Sequence, residues 1–228
     1  MVNLLMKKGI KFVVNPYDEF AMEEGLRLRE KNGGTVTAVC VGTEVSKDIL
    51  RTALAMGIDK VTLIKGEKDP QDSFNAVSNL AEVAKTLNPD VILMGRQSID
   101  FDSFQAPSSL GEMLKMPSVS VVSKLTVEDG KVVAERDIEG GKEVVETSLP
   151  CIISCQKGLN EPRYPKLPDI MKAKSKPIEE IPAIATEQRT TILQMSIPSK
   201  KRVGKLLTDS DADIAELAKL LHEEAKVI

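Results

Sequence analysis

Between Gly95 and Pro107 the chain reads GRQSIDFDSFQAP, and its chemistry is concentrated there. A glycine in that position lets another group come close. Gln105 to Ser109 begin a helix, and the free amides of a helix start can hold a phosphate. Two shorter stretches have the same character: Asn15 to Asp18, where Asn15-Pro16 opens a helix, and Val41-Gly42, which closes an apolar run. Neither G-x-G-x-x-G nor G-x-x-x-x-G-K-[ST] is present. The spacing therefore admits a nucleotide in these loops without specifying one, and an ordinary polar loop has the same texture.

Other chemistries find less support. Asp100, Asp102 and Glu112 are close in sequence, but without a histidine or a second acidic motif they read as acids near a helix start rather than as metal ligands. His222 is the one histidine. It lies in a polar C-terminal segment, so no nucleophile, base and orienting acid can be assembled. Cys151 and Cys155 form a C-x3-C pair without the second pair that zinc requires, and with Cys40 they read as structural thiols in apolar strands.

With 31 basic and 34 acidic residues the net charge is −3, which supplies no sequence-wide attraction to nucleic acid or to an anionic membrane. Aromatic residues are only 3% of the chain and tryptophan is absent, which argues against base-stacking platforms. No run approaches the roughly 20 apolar residues that span a bilayer, and the apolar stretch within Met1–Met6 is too short for a signal peptide. The expectation is a cytoplasmic protein that inserts into no membrane.

A second stretch stands out by composition. From Leu159 to Lys176 the basic residues Arg163, Lys166, Lys172, Lys174 and Lys176 are mixed with Tyr164 and the apolar Leu159, Leu167, Ile170 and Met171. Two readings stay open: a solvated basic linker, or a docking segment whose aliphatic anchor suits an apolar pocket with an acidic rim.

The elements that must position these stretches alternate. A helix follows Asn15-Pro16 and stops at Gly33-Gly34. Then come a strand over Thr35–Gly42, a helix over Ser46–Met56, a strand over Val61–Ile64, a helix over Asp72–Thr86 and a strand over Val91–Gly95. Such alternation predicts an α/β fold with a doubly wound parallel sheet. Ligands of such sheets collect beyond the carboxyl ends of the strands, where the three candidate loops fall. After Pro117 the texture becomes that of antiparallel strands with tight turns. Gln156–Pro182 reads as an extended loop, and Asp211–Ala225 as a helix capped by Ser210. The expected division is a domain over residues 1–182 and an arm with its helix over 183–228.

The segment LNEPRYPKLPDIMKAK is very similar to the signature of the β subunits of electron-transferring flavoproteins. The similarity continues through NPYDEFAMEEGLRL, RTALAMG, MGRQSIDFDSFQAP, RDIEGG and LPCIIS. This resemblance implies a Rossmann-like domain of the adenine-nucleotide-binding superfamily type that holds AMP, with FAD held mainly by an α subunit. It implies a carrier without catalytic residues of its own, passing electrons from flavin-dependent dehydrogenases of fatty acid or amino acid oxidation to a quinone oxidoreductase. The nucleotide loops would be Asn15, Pro16, Tyr17 and Asp18; Val41; and Arg96, Gln97, Ser98, Ile99, Asp100, Asp102, Ser103, Phe104, Gln105, Ala106 and Pro107. Asp137 matches an acidic position facing the flavin. The loop that grips the dehydrogenase falls on Leu159, Asn160, Glu161, Pro162, Arg163, Tyr164, Leu167, Ile170, Met171 and Lys172, with Leu167 as anchor, and the C-terminal arm would pack on the α subunit.

Three departures from the family pattern accompany the likeness. Members open with a further strand bearing an A-x-K-x-V-like motif that walls the nucleotide site, and this sequence begins after it. Ala106-Pro107 replaces the Thr-Gly or Val-Gly of many members, and Pro107 removes an amide donor. Ser175 stands where some relatives have lysine. Two alternatives remain: an electron-bifurcating variant in which a second FAD replaces AMP and is reduced by NADH, and a stand-alone adenine-nucleotide-binding module.

Overall fold

Pro16 fixes the backbone for the first turn of α1 (Pro16–Asn32), Asp18 and Glu19 complement the positive end of its dipole, and Gly33, with φ of 78°, stops it. The computed structural model in which this is seen describes residues 11–68, 72–191, 193 and 204–227. It divides the chain into two units, residues 1–193 and 194–228.

In the first unit α1 is followed by β1 (Thr37–Gly42), α2 (Lys47–Met56), β2 (Lys60–Lys65), α3 (Ser73–Leu87) and β3 (Val91–Gly95). The alternation read from the sequence is present. Gly57, in the left-handed region, ends α2, and the Asp72 carboxylate caps α3 by accepting from the Asn75 amide at 2.7 Å. Next come α4 (Ala106–Leu114), β4 (Ser118–Glu128), β5 (Lys131–Ile138), β6 (Gly141–Ser148) and β7 (Cys151–Cys155), then α5 (Leu167–Ala173) and β8 (Glu179–Pro182).

The strands form two ladders. One, ordered β1-β2-β8, is parallel throughout. The other, ordered β3-β7-β4-β5-β6, is parallel from β3 through β7 to the start of β4 and antiparallel from there to β6. Each has an interior strand whose sequence is apolar on both faces: VTLI of β2 and the whole of CIISC in β7 are buried. β4 changes partners at an irregularity between Val119 and Val122, where Val121 takes a φ of 64° and its amide donates to Ser154 Oγ at 3.3 Å. The Asp129-Gly130 turn, both residues at positive φ, then returns the chain as β5.

α1 packs against both ladders. Leu26 lies in a core with Leu50, Leu54, Ile58 and Leu63 on the side of β2, while Ala21 lies in a core with Val119, Ile153 and Cys155 on the side of β7. Gly25 keeps the helix close, since a Cβ there would stand 3.2 Å from Val36 Cγ1 and 3.5 Å from Leu93 Cδ1. A third core joins Val77 and Ala81 of α3 to Leu110 and Ile152.

The expectation of an extended loop over Gln156–Pro182 is corrected, because this stretch holds both α5 and β8. β8 reads as polar because it edges its ladder, where Glu180 pairs with Lys47 and Lys65 and Glu179 accepts from Thr62 Oγ1. Parallel pairing with β2, far away in sequence, makes the strand that local propensity does not.

In the second unit α6 (Asp211–Lys219) begins with Ser210 Oγ accepting from the Asp213 amide at 3.3 Å, as the sequence indicates. Its last turn, Leu220–Glu224, is of the wider π type. Among the described residues no helix is long and apolar enough to cross a membrane.

Candidate nucleotide site and docking segment

Asn15 occupies the cap position of α1, but its side chain is used elsewhere. Its Nδ2 donates to Asp18 Oδ2 and to the carbonyl of Gln97, both at 2.8 Å, and its Oδ1 accepts from the Ile99 amide at 3.3 Å. Asp18 Oδ1 in turn accepts from the Gly95 amide at 2.6 Å. Burial pushes the Asp18 carboxyl above its ordinary 3.8, against the hydrogen bonds from Asn15 and Gly95 that favour its charged form. The start of α1 and the loop after β3 are thereby fastened into one wall.

Gly95 lies at the seam, and the group that comes close to it is the first turn of α1. A Cβ there would fall 2.8 Å from the Asp18 amide nitrogen and from Tyr17 Cβ. The glycine admits the first turn of α1, which is a packing role whether or not a ligand comes near.

Arg96 extends this wall. Its guanidinium lies 5.0 Å from the Tyr17 ring centroid and 5.6 Å from that of Phe104, and its Nη1 donates to Gln156 Oε1 at 2.6 Å. Gln156 Nε2 donates to Asp137 Oδ2 at 3.2 Å, and Ser123 Oγ lies 3.4 Å from the other carboxylate oxygen. Arg96 Nε is buried and has no hydrogen-bond partner among the described residues. A buried guanidinium donor left over in this way suits an anionic or carbonyl acceptor.

The rest of the loop is tied to itself. Gln97 Nε2 donates to Asp102 Oδ1 at 2.6 Å, the Asp102 amide donates to the Ser98 carbonyl, and Ser103 Oγ meets Ser73 Oγ at 3.2 Å. Asp102 and Phe104 take positive φ values of 50° and 55°, while Ile99, Asp100 and Phe101 are exposed. α4 then starts with Gln105 at the cap position without a side-chain hydrogen bond, followed by Ala106 and buried Pro107. Its first-turn amides keep their donors for an anion, less the one that proline lacks.

The structure thus brings Asn15, Tyr17, Asp18, Arg96, Gln97, Ile99, Phe104 and Asp137 into one connected set. Val41 sits at the carboxyl end of β1, where its ladder partner is Ile64. Gln156, the link between Arg96 and Asp137, carried no signal in the sequence, because its partners lie 60 and 19 residues away. Among the described residues no cluster of three His, Cys, Asp or Glu side chains is arranged to hold a metal. Cys151 and Cys155 are free, buried thiols in β7; burial pushes the Cys151 thiol up to about 11 and raises Cys155 as well, which makes both poor nucleophiles.

The basic segment is more ordered than its composition indicates. Leu159 packs into the core beside β7, and Asn160 Nδ2 donates to the Phe20 carbonyl and to Glu24 Oε2. Arg163 grips Glu23 with Nε, Nη2 and its own backbone amide, and Glu30 with Nη1 and Nη2, at 2.6 to 3.2 Å. Glu23 also accepts from Arg27 at 2.8 Å. Burial would raise the Glu23 carboxyl, but the hydrogen bonds from Arg163 and Arg27 outweigh it and hold its pKa below the ordinary 4.5. Glu161 and Lys172 are exposed and Pro162 is half-buried. Past this anchor Tyr164, Leu167, Ile170 and Met171 are turned outward, with Tyr164 94% and Leu167 73% exposed. Four large apolar or aromatic groups on one short segment form a patch of the kind that marks an interaction surface.

The chain is similar to known proteins over most of its length. The family model described as "Electron transfer flavoprotein domain" matches residues 2–186. The chain is 44% identical over 230 residues to the electron transfer flavoprotein subunit beta of Bacillus subtilis, covering 96% of this chain and 90% of that protein. It is 38% identical over 221 residues to the subunit beta of Syntrophomonas wolfei, covering 96% and 87%. It is 35% identical over 229 residues to the mitochondrial subunit beta of Oryza sativa subsp. japonica, covering 96% and 88%. A family match that runs over residues 2–186 and beta-subunit relatives that cover 96% of the chain leave one assignment: the chain belongs to the electron transfer flavoprotein family, among its beta subunits.

Proposed function

We propose that this chain is the β half of a heterodimeric, cytoplasmic electron carrier. It holds AMP against the wall formed by Asn15–Asp18 and Arg96–Pro107, with Val41 at the end of β1 as a further contact. It shares FAD with an α subunit, docks flavin-dependent dehydrogenases through Leu159–Lys172, and delivers electrons to a quinone oxidoreductase. The observation that carries the nucleotide part is the fastening of Asn15 and Asp18 to Gly95–Ile99 beside a buried Arg96 Nε that lacks a partner among the described residues. The residues fit the group: an uncapped helix start and a guanidinium suit a phosphate, and Tyr17 and Phe104 offer ring faces.

FAD, when bound, supplies the chemistry of accepting and releasing electrons. The side chains of this chain supply position. Arg96 and Gln156 orient Asp137, the residue assigned to the flavin side, through the chain Arg96–Gln156–Asp137. No proton transfer by the protein is required. A Rossmann-like, doubly wound domain belongs to the same reading. It is supported by the parallel ladders β1-β2-β8 and β3-β7-β4, with α1 packed on both sheets. The outward Ile214 and Leu217 support α6 packing on the α subunit.

The test is a relay. Co-purified with its α subunit and kept anaerobic, the heterodimer should lose its oxidised-flavin absorbance when a substrate-charged acyl-CoA or amino acid dehydrogenase is added, and regain it with the quinone oxidoreductase. A heterodimer whose flavin no dehydrogenase reduces would contradict the carrier reading.

A further inference from the structure

We propose that Arg163 and Arg51 are positioning residues that clamp the two ends of Leu159–Lys176, so that the docking patch is preformed before a donor dehydrogenase arrives. The inference rests on the docking assignment above and adds what holds that surface in shape. α5 has seven residues, far fewer than the roughly 12 to 15 at which an isolated helix is even marginal. It nevertheless holds Leu167, Ile170 and Met171 outward rather than letting them collapse onto the core. Contacts at its ends must therefore keep it in place.

At the leading end Arg163 is fixed by five hydrogen bonds to Glu23 and Glu30 of α1, and Asn160 is fixed to Phe20 and Glu24 of the same helix. The Glu23 side chain is only 3% exposed, so its grip is shielded from solvent in a way that surface ion pairs are not. At the trailing end Arg51 of α2 donates through Nη1 to the Ala173 carbonyl at 2.7 Å and to the Lys176 carbonyl. The last carbonyls of a helix have no partner within it, and Arg51 supplies a charged donor from outside. Ala173 beside it is buried among Leu50, Leu54 and Ile58. Both clamps come from elements packed in the core, and neither arginine belongs to the outward patch.

A surface ordered in advance spends none of its contact energy on ordering loops and side chains at the moment of binding. Releasing a clamp should therefore raise the donor concentration needed for half-saturation and leave the maximal rate, which depends on the flavin, nearly unchanged. The experiment uses the heterodimer with FAD bound and the variants Arg163→Ala, Arg163→Lys and Arg51→Ala. Glu30→Gln serves as a milder probe, because it leaves Glu23 paired with Arg163 should Arg163→Ala fail to fold. For each, hydrogen exchange of the amides from Tyr164 to Lys176 and donor kinetics are measured. Exchange in that segment should accelerate at least about 10-fold and KM for the donor rise roughly 10-fold in Arg163→Ala and Arg51→Ala, as expected when the cost of ordering returns to the binding step. Glu30→Gln should move both in the same direction by less.

Unchanged exchange in both alanine variants, or in Glu30→Gln if Arg163→Ala does not fold, would overturn the clamp. Accelerated exchange with unchanged KM would overturn the role in docking. In that case Leu167→Ala, which leaves both clamps intact, tells which part failed. If it too leaves KM unchanged, the docking assignment is at fault; if it raises KM, docking stands and preordering does not matter.

Discussion

Gly95→Ala should lower the stability of this chain by about 3 kcal/mol, at the upper end of the cost of forcing an extra carbon into a packed site. The new Cβ would lie 2.8 Å from the Asp18 amide nitrogen, 2.8 Å from Tyr17 Cβ and 2.9 Å from Asp18 Oδ1. Two of these belong to backbone or its first carbon, so no rotamer change relieves the crowding. Nor can α1 retreat freely, since Ala21 and Leu26 tie it into two cores. For a domain of this size the loss corresponds to a fall in Tm of roughly 6 to 12 °C. Thermal unfolding of the heterodimer reads the stability, and nucleotide content reads the site. Both should fall together, because the Asp18–Gly95 bond that fastens the nucleotide loop is the contact displaced. An unchanged Tm would mean that α1 and β3 do not meet as described.

Leu167→Ala should act on docking rather than on folding. Leu167 is 73% exposed, so removing its isobutyl group leaves no cavity and should not alter Tm or flavin content. As the central anchor of an interface it should still cost about 2 kcal/mol of donor binding, a loss of roughly 30-fold in kcat/KM for reduction by the dehydrogenase. Steady-state reduction of the heterodimer by its donor measures it. Kinetics indistinguishable from the parent would remove Leu167, and the docking role of its segment, from the account.

The two substitutions also separate what was legible in the sequence from what was not. The Asn15-Pro16 helix start and the glycine after β3 are local signals, and with the alternation of elements they point to the polar wall. Their mutual use was not legible, since Asn15 and Gln97 are 82 residues apart. The helix start at Asn15-Pro16 and the close approach at Gly95 are read locally, but that each joins α1 to the loop after β3 is not. Gln156 stayed hidden for the same reason.

The docking segment shows a second kind of limit. Its basic and apolar mixture was visible, yet it gave no periodicity and read as a loop. α5 is too short to leave a helical pattern, and the contacts of its segment are distant in sequence: Arg51 donates to Ala173 across 122 residues and Arg163 to Glu23 across 140. β8 is likewise made by its ladder with β2 and by Glu180 between Lys47 and Lys65, not by its own propensity. Short elements held by distant partners are those that local pattern cannot find.

The central claim is that the Asn15–Asp18 and Arg96–Pro107 wall holds one adenine nucleotide that is not the carrier's flavin. The most direct measurement is to denature the co-purified heterodimer and separate the released nucleotides by chromatography against standards. One AMP and one FAD per heterodimer is the predicted result. Two FAD without AMP, or FAD alone, would contradict it.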